Sequence, residues 1–317
     1  MFSNLSRAQK KGLGMAVIAL IVGIYYAFIA PAQMDFTQNT LLWKNTANGT
    51  NWSGGPASRF YMGALLRSAM IIGGLALIGL AYPLFQGRKY AWPTALTLLA
   101  IAPIGQFFIG LGYLENFSLY PPVAYPLAWN SFILGLFGFW GLILLKDMDS
   151  KKEKISIFIT LTLLGMIGSQ AFALALHAYR VIARGLGYAI SVPDSQVMVH
   201  TGGLMLLVIV MVFIAIYKLA QRKESGWWYA IISGAAMAYA SFPAHYIRPP
   251  VASLVPGGTL EASALTSTYW MAGAQAVLLV VLLLIPYFKN NLYDGEKELA
   301  TAQMKTSGGK EKILTAK

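Results

Sequence analysis

The chain contains no cysteine, which removes disulfides, thiolate metal sites, iron–sulfur ligation and covalent haem attachment together. Charge is also scarce. Only 11% of the 317 residues are charged, against about 25% in soluble domains. Acidic groups are the scarcer sign, 12 against 24 lysines and arginines, for a net charge of +12. None lies deep in an apolar run: Asp35, Glu115, Asp194 and Glu261 fall at the edges or between runs. Proton- and ion-coupled carriers usually place a carboxylate near the bilayer midplane, so that class loses ground. The last apolar run has no interior lysine for a retinal Schiff base. No phosphate-binding glycine loop is present either: Gly73, Gly74, Gly79, Gly202 and Gly203 sit inside apolar runs and suit small-residue helix packing.

What the chain does have is hydrophobic length, 57% of all residues. Runs of about 20 apolar residues, the length that crosses a hydrocarbon core, recur at 13–34, 61–85, 90–114, 122–145, 155–179, 197–220, 226–246 and 268–289. They predict an all-α, polytopic membrane protein of eight transmembrane helices. A short basic N-terminus (1–12), a membrane domain (13–290) and a mobile polar tail (291–317) complete the organisation. The first run continues to Pro31 without a small-residue cleavage motif, so no cleavable signal peptide is expected. The positive charge sits in short loops and the tail rather than along a groove, which argues against nucleic acid as a partner. Arg7, Lys10, Lys11, Arg88, Lys89, Lys146, Lys151, Lys152, Lys154, Lys218, Arg222, Lys223 and the tail lysines share one side. The other side receives Lys44, Arg59, Arg67, Arg180, Arg184 and Arg248. This bias places both termini in the cytoplasm of a cell-membrane protein. Asn48, Asn51 and Asn116 head glycosylation sequons on the outer side. Trp43, Trp52, Trp92, Trp129, Trp227, Trp228 and Trp270 fall near run ends, where interfacial aromatic belts form.

The chemistry concentrates between Gln170 and Arg248. His177, His200 and His245, the complete set of histidines, each end an apolar run on the predicted outer side. A boundary histidine is often only an interfacial polar residue. Three neutral imidazoles at one depth, from consecutive helices, also suit a copper ion or two axial ligands of a haem b. Arg180, Arg184 and Arg248 lie beside them and could pair with propionates or another anion, or simply anchor the interface. Met62, Met198 and Met205 are soft donors, though a methionine in a membrane helix usually packs.

The stretch VMVHTGGLMLLVIVMVFIAIYKL, a basic turn and GWWYAIISGAAMAYASFPAHY resembles the sixth and seventh helices of the haem–copper oxidase superfamily, particularly its nitric-oxide-reductase branch. His200 matches the first non-haem metal ligand and His245 the second histidine of a pair whose other position is Ala244. FFIGLGYLENFSLYPPVAYPLAWNSFILGLFGFWGLILL and SRFYMGALLRSAMIIGGLALIGLAYPLF are similar to earlier helices of that family, so the likeness runs over about residues 13–290. Met62 stands where the family has a haem-ligating histidine, and Leu204 where it has an active-site glutamate. The later helix bearing the remaining haem ligands is missing. The resemblance therefore implies a shortened relative without the binuclear site, keeping a histidine site for metal or haem, or only the scaffold.

Three readings follow. The first is an integral subunit of a respiratory or redox membrane complex, with lipid and other membrane subunits as partners and an outer-face site for haem b or copper. The second is a cofactor-free structural subunit. The third is a copper-dependent membrane monooxygenase component, weakened by the lack of an intramembrane carboxylate.

Overall fold

The computed structural model describes residues 6–36, 55–107, 124–148, 150–185, 192–247 and 264–293; at 55–61, 124–128, 180–181, 183–185, 192–196 and 264–267 only the backbone is described. All eight apolar runs are helical over most of their described residues, which contain no strand. The helices are α1 (Arg7–Phe36), α2 (Gly55–Phe85), α3 (Ala91–Phe107), α4 (Ala124–Leu145), α5 (Lys151–Gly185), α6 (Val192–Ala220), α7 (Glu224–Tyr246), α8 (Ala264–Leu284) and the short α9 (Pro286–Leu292). Four stretches are long and apolar enough to cross a membrane: Arg7–Phe36, Met62–Phe85, Lys151–Tyr179 and Val197–Ala220. The bent pair Thr268–Leu284 and Pro286–Leu292 makes a fifth. Outward-facing Phe28, Leu65, Ile72, Phe137, Leu207 and Leu284 are each more than half exposed, an apolar coat suited to lipid.

Three sequence expectations change. The basic start at 1–12 is not separate from the first run: α1 begins at Arg7, where Ser6 and Gln9 form a reciprocal capping box. The eighth run is not straight. Pro286 lacks the N–H that would continue the ladder, and α8 and α9 meet at 76°. The first residues of the expected tail are packed, since Leu292 is fully buried and Arg222 donates to the Asn291 carbonyl. Residues 294–317 lie outside the described residues, as do Asn48, Asn51, Asn116 and Arg248.

The helices form two rings of four. In the first, α1 packs on α2 and α4, and α3 closes the ring between α2 and α4. In the second, α5, α6, α7 and α8 repeat that order. The rings join through α2–α5, α3–α6 and α4–α5 contacts, which makes α5 the hub.

The repeat extends to single atoms. The α2–α3 and α6–α7 turns put Gly87 at φ 70° and Arg222 at φ 64°. Arg88 N–H donates to the Pro83 carbonyl (2.9 Å) and Gly87 N–H to that of Leu84 (3.1 Å). Lys223 donates to Lys218 (3.0 Å) and Arg222 to Leu219 (2.9 Å) in the same pattern. This is a left-handed helix-ending turn, and Gly87 supplies its positive φ without strain. At the same spacing within each turn stand Tyr82 and Tyr217, Gln86 and Gln221, Trp92 and Trp227. Trp92 Nε1–H donates to the Leu142 carbonyl of α4 (3.0 Å), and Trp227 Nε1–H to the Leu283 carbonyl of α8 (2.9 Å). Lys146 Nζ lies 5.4 Å from the centre of the Trp92 ring and Lys289 Nζ 4.9 Å from that of Trp227. Each indole thus ties its helix to a carbonyl near the end of a neighbouring one, that of Leu142 also accepting from the Lys146 N–H at 3.2 Å. These two tryptophans, 5% and 4% exposed, are buried fasteners rather than belt residues; Trp228 and Trp270, about half exposed, suit a belt.

The basic ends meet at one end of the bundle. A Cβ on Gly12 of α1 would come within 2.9 Å of the Phe85 carbonyl oxygen of α2. Lys11 donates to Asp147 beyond α4, and Arg222 pairs with Glu153 of α5 at 3.4 Å. The hydrogen bond from Lys11, with help from the charges of Arg7 and Lys154, holds the Asp147 carboxyl below the usual carboxylate range.

Backbone proximity sets the α1–α2 contact. A Cβ on Gly74 would meet Ala27 N at 2.5 Å and the Gly23 carbonyl oxygen at 2.6 Å, whereas one on Gly79 meets nothing within 4 Å. Gly74→Ala is expected to force the helices apart and cost about 1–3 kcal/mol. Gly79→Ala should be neutral or stabilising by up to about 1 kcal/mol through helix propensity. Thermal unfolding of both variants in one detergent checks this, and equal melting temperatures would contradict the close contact.

Candidate functional site

Two places could carry chemistry: the histidine end and the seam between the rings. Helix α5 leaves the basic end at Lys151 and carries His177 toward its far end. Helix α6 runs back, so His200 near its start lies at that far end, and α7 ends there with His245. The structure therefore brings the three histidines to one end of the bundle, away from the described lysines.

It does not turn them toward one point. His177 is fully buried at the contact with α8, where its Nδ1 lies 3.0 Å from the Tyr269 hydroxyl. That hydroxyl also lies 3.4 Å from the Leu174 carbonyl. It has one hydrogen: either it donates to Nδ1, or it donates to Leu174 and receives Nδ1–H. His200 is exposed, its ring 6.3 Å from that of Tyr239 on α7. His245 is partly buried against Tyr246, and its Nδ1 is enclosed without a hydrogen-bond partner. Among the described residues no group of three or more His, Asp or Glu is placed to hold a metal ion. The reason is helical phase. Ala178 faces Gly202 of α6, whose Cβ would lie 3.2 Å from its own, so the preceding His177 turns toward α8 while His200 turns outward. Arg180 and Arg184 lie in the last turns of α5, where only the backbone is described. Met198 and Met205 are fully buried and Met62 is packed against the core, as structural methionines are.

The seam holds a cavity of about 470 Å³ between α3 and α4 of the first ring and α5 and α8 of the second. Its wall is almost wholly apolar, with Phe107, Phe132, Leu136, Trp140, Met166 and Met271 among the lining side chains. A smaller one of about 300 Å³ lies on the other side of the seam, among α2, α3, α5 and α6. The larger cavity has one polar patch. Gln170 of α5 donates Nε2–H to the Gln275 amide oxygen of α8 at 2.8 Å, while the Gln170 oxygen and the Ser169 hydroxyl are buried without partners. Each such group costs about 1–3 kcal/mol if left unmatched. Trp140, also on the wall, donates to Thr162 at 3.1 Å. The sequence carried a signal for this patch, a serine and two glutamines inside apolar runs, which reading for metal ligands and charges passes over.

The His177–Tyr269 bond fastens α5 to α8. Tyr269→Phe, which keeps the ring and removes the hydroxyl, is expected to cost about 1–3 kcal/mol. His200→Ala, at an exposed position, should stay within about 0.5 kcal/mol of the parent. Melting temperatures of the two variants test this, and an unchanged value for Tyr269→Phe would show that the bond carries no stability.

Comparison of the chain with family models, with curated proteins and with solved structures finds no match.

Proposed function

We propose that this chain is an integral subunit of a larger redox membrane assembly, crossing the membrane eight times with both termini in the cytoplasm. It acts as scaffold rather than as the bearer of a three-histidine metal centre. The observation that carries this reading is the divergence of the imidazoles, His177 committed to Tyr269 and His200 turned outward. Several features support the topology. All eight apolar runs are largely helical over their described residues, the described lysines gather at one end, and positive charge marks the cytoplasmic side. The redox setting rests on the resemblance of α6 and α7 to haem–copper oxidase helices. The copper monooxygenase reading needs three converging histidines and loses its footing.

A second reading has its own observation. His245 Nδ1 is enclosed without a partner, and His200 lies at the same end of the adjacent helix. Two histidines there suit a copper ion or haem b shared with a partner chain.

The test is an optical spectrum and metal analysis of the isolated chain, oxidised and dithionite-reduced, beside the assembly extracted from native membranes in mild detergent. The scaffold reading expects no Soret band and no stoichiometric copper in the isolated chain, with haem absorbance in the extracted assembly. Haem or about one copper per chain in isolation, lost in His245→Ala but kept in His177→Ala, overturns it in favour of the second reading.

A further inference from the structure

We infer that the cavity between the two rings is a binding site for a membrane-soluble, hydroxyl-bearing lipophile, such as a long-chain or isoprenoid alcohol. This inference stands apart from the histidines and from the redox reading. Four observations carry it. The first is size: at about 470 Å³ the space is roughly three times the engineered apolar cavity that takes up one benzene. It therefore accommodates a ligand of roughly 18 non-hydrogen atoms. The second is the wall, too apolar to hold water, which needs two to four polar partners at each position. The third is the polar patch. Ser169 is 7% exposed and lines the cavity with its hydroxyl unmatched, and the neighbouring Gln170 amide oxygen is an enclosed acceptor held in place by Gln275. One hydroxyl on the ligand would donate to that oxygen and accept from Ser169, satisfying both. A pure hydrocarbon would leave both unmatched, and a charged headgroup would be stranded without a counter-ion. The fourth is position, because the seam between repeated halves is where two packed units leave concave space.

Gly165 provides the test. It lines the cavity, and a Cβ built on it meets nothing within 4 Å, so a larger side chain there starts out into open space rather than against a neighbouring helix. The purified full chain in detergent is titrated with radiolabelled farnesol, and with farnesene, a hydrocarbon of the same carbon skeleton, as competitor. Saturable farnesol binding is expected, with farnesene roughly ten-fold weaker for want of the hydroxyl. Gly165→Phe should abolish binding while keeping the parent circular dichroism. The triple change Ser169→Ala, Gln170→Leu, Gln275→Leu removes both amides together and so leaves no orphan; it should bring the two ligands to equal affinity. Farnesol binding unchanged in Gly165→Phe would overturn the site. Equal binding of farnesol and farnesene by the parent chain would overturn the ligand class and mark the cavity as a seat for lipid acyl chains. Should Gly165→Phe fail to fold, the affinity ratio in the triple variant still decides: a ratio left at the parent value overturns the polar contact.

Discussion

Between helices immersed in lipid, apolar contact with a neighbouring helix gains little over apolar contact with acyl chains, so the fold must be held by closeness of fit and by polar groups that have nowhere else to go. Most of this structure follows from that constraint. Where α1 meets α2, glycines bring backbones close enough that a single methyl at Gly74 would collide with Ala27 and Gly23. Where rings close, buried indoles reach across to carbonyls near the end of a neighbouring helix: Trp92 at Leu142 and Trp227 at Leu283. The lysine over each ring sits near the same helix end, where a cation is favourable.

The same constraint gives the seam its meaning. Some buried polar side chains find a fixed partner, His177 with Tyr269, Trp140 with Thr162, Tyr26 with the Leu99 carbonyl, while the hydroxyls of Ser156, Thr160 and Ser241 do not. At the seam the Gln170 oxygen and the Ser169 hydroxyl are also unpartnered, and these two line a cavity of about 470 Å³. Two four-helix rings, each internally well packed, meet through fewer contacts than they make within themselves. Space is left where the repeat boundary falls, between α3 and α4 on one side and α5 and α8 on the other.

Much of the fold was legible because each helix is a long apolar run, and each run needs only its own residues to satisfy its backbone. The break at Pro286 was also readable, since a proline there cannot continue the ladder. The histidine site was legible only to the level of which end of the bundle it occupies. Topology fixes the end, but helical phase decides direction, and phase turned His177 toward α8 and His200 outward. The fastening role of Trp92 and Trp227 could have been found from the matching spacing Tyr-Gln-Trp in the two basic turns, a periodicity longer than any helical one. The polar patch was hidden by chemistry rather than distance: serine and glutamine carry no charge and bind metals poorly, so a search for ligands and charges does not stop at them.

The proposed topology crosses the membrane eight times, with the basic turns on the cytoplasmic side. The chain has no cysteine, so single cysteines can be introduced and read without background. In intact cells a membrane-impermeant maleimide should label Ile247→Cys, at the histidine end. It should label Arg88→Cys, Lys223→Cys and Lys289→Cys, at the turns and end that carry the lysines, only after permeabilisation. Labelling of Ile247→Cys from the same side as Lys223→Cys would mean that α7 does not cross, and would contradict the proposed topology.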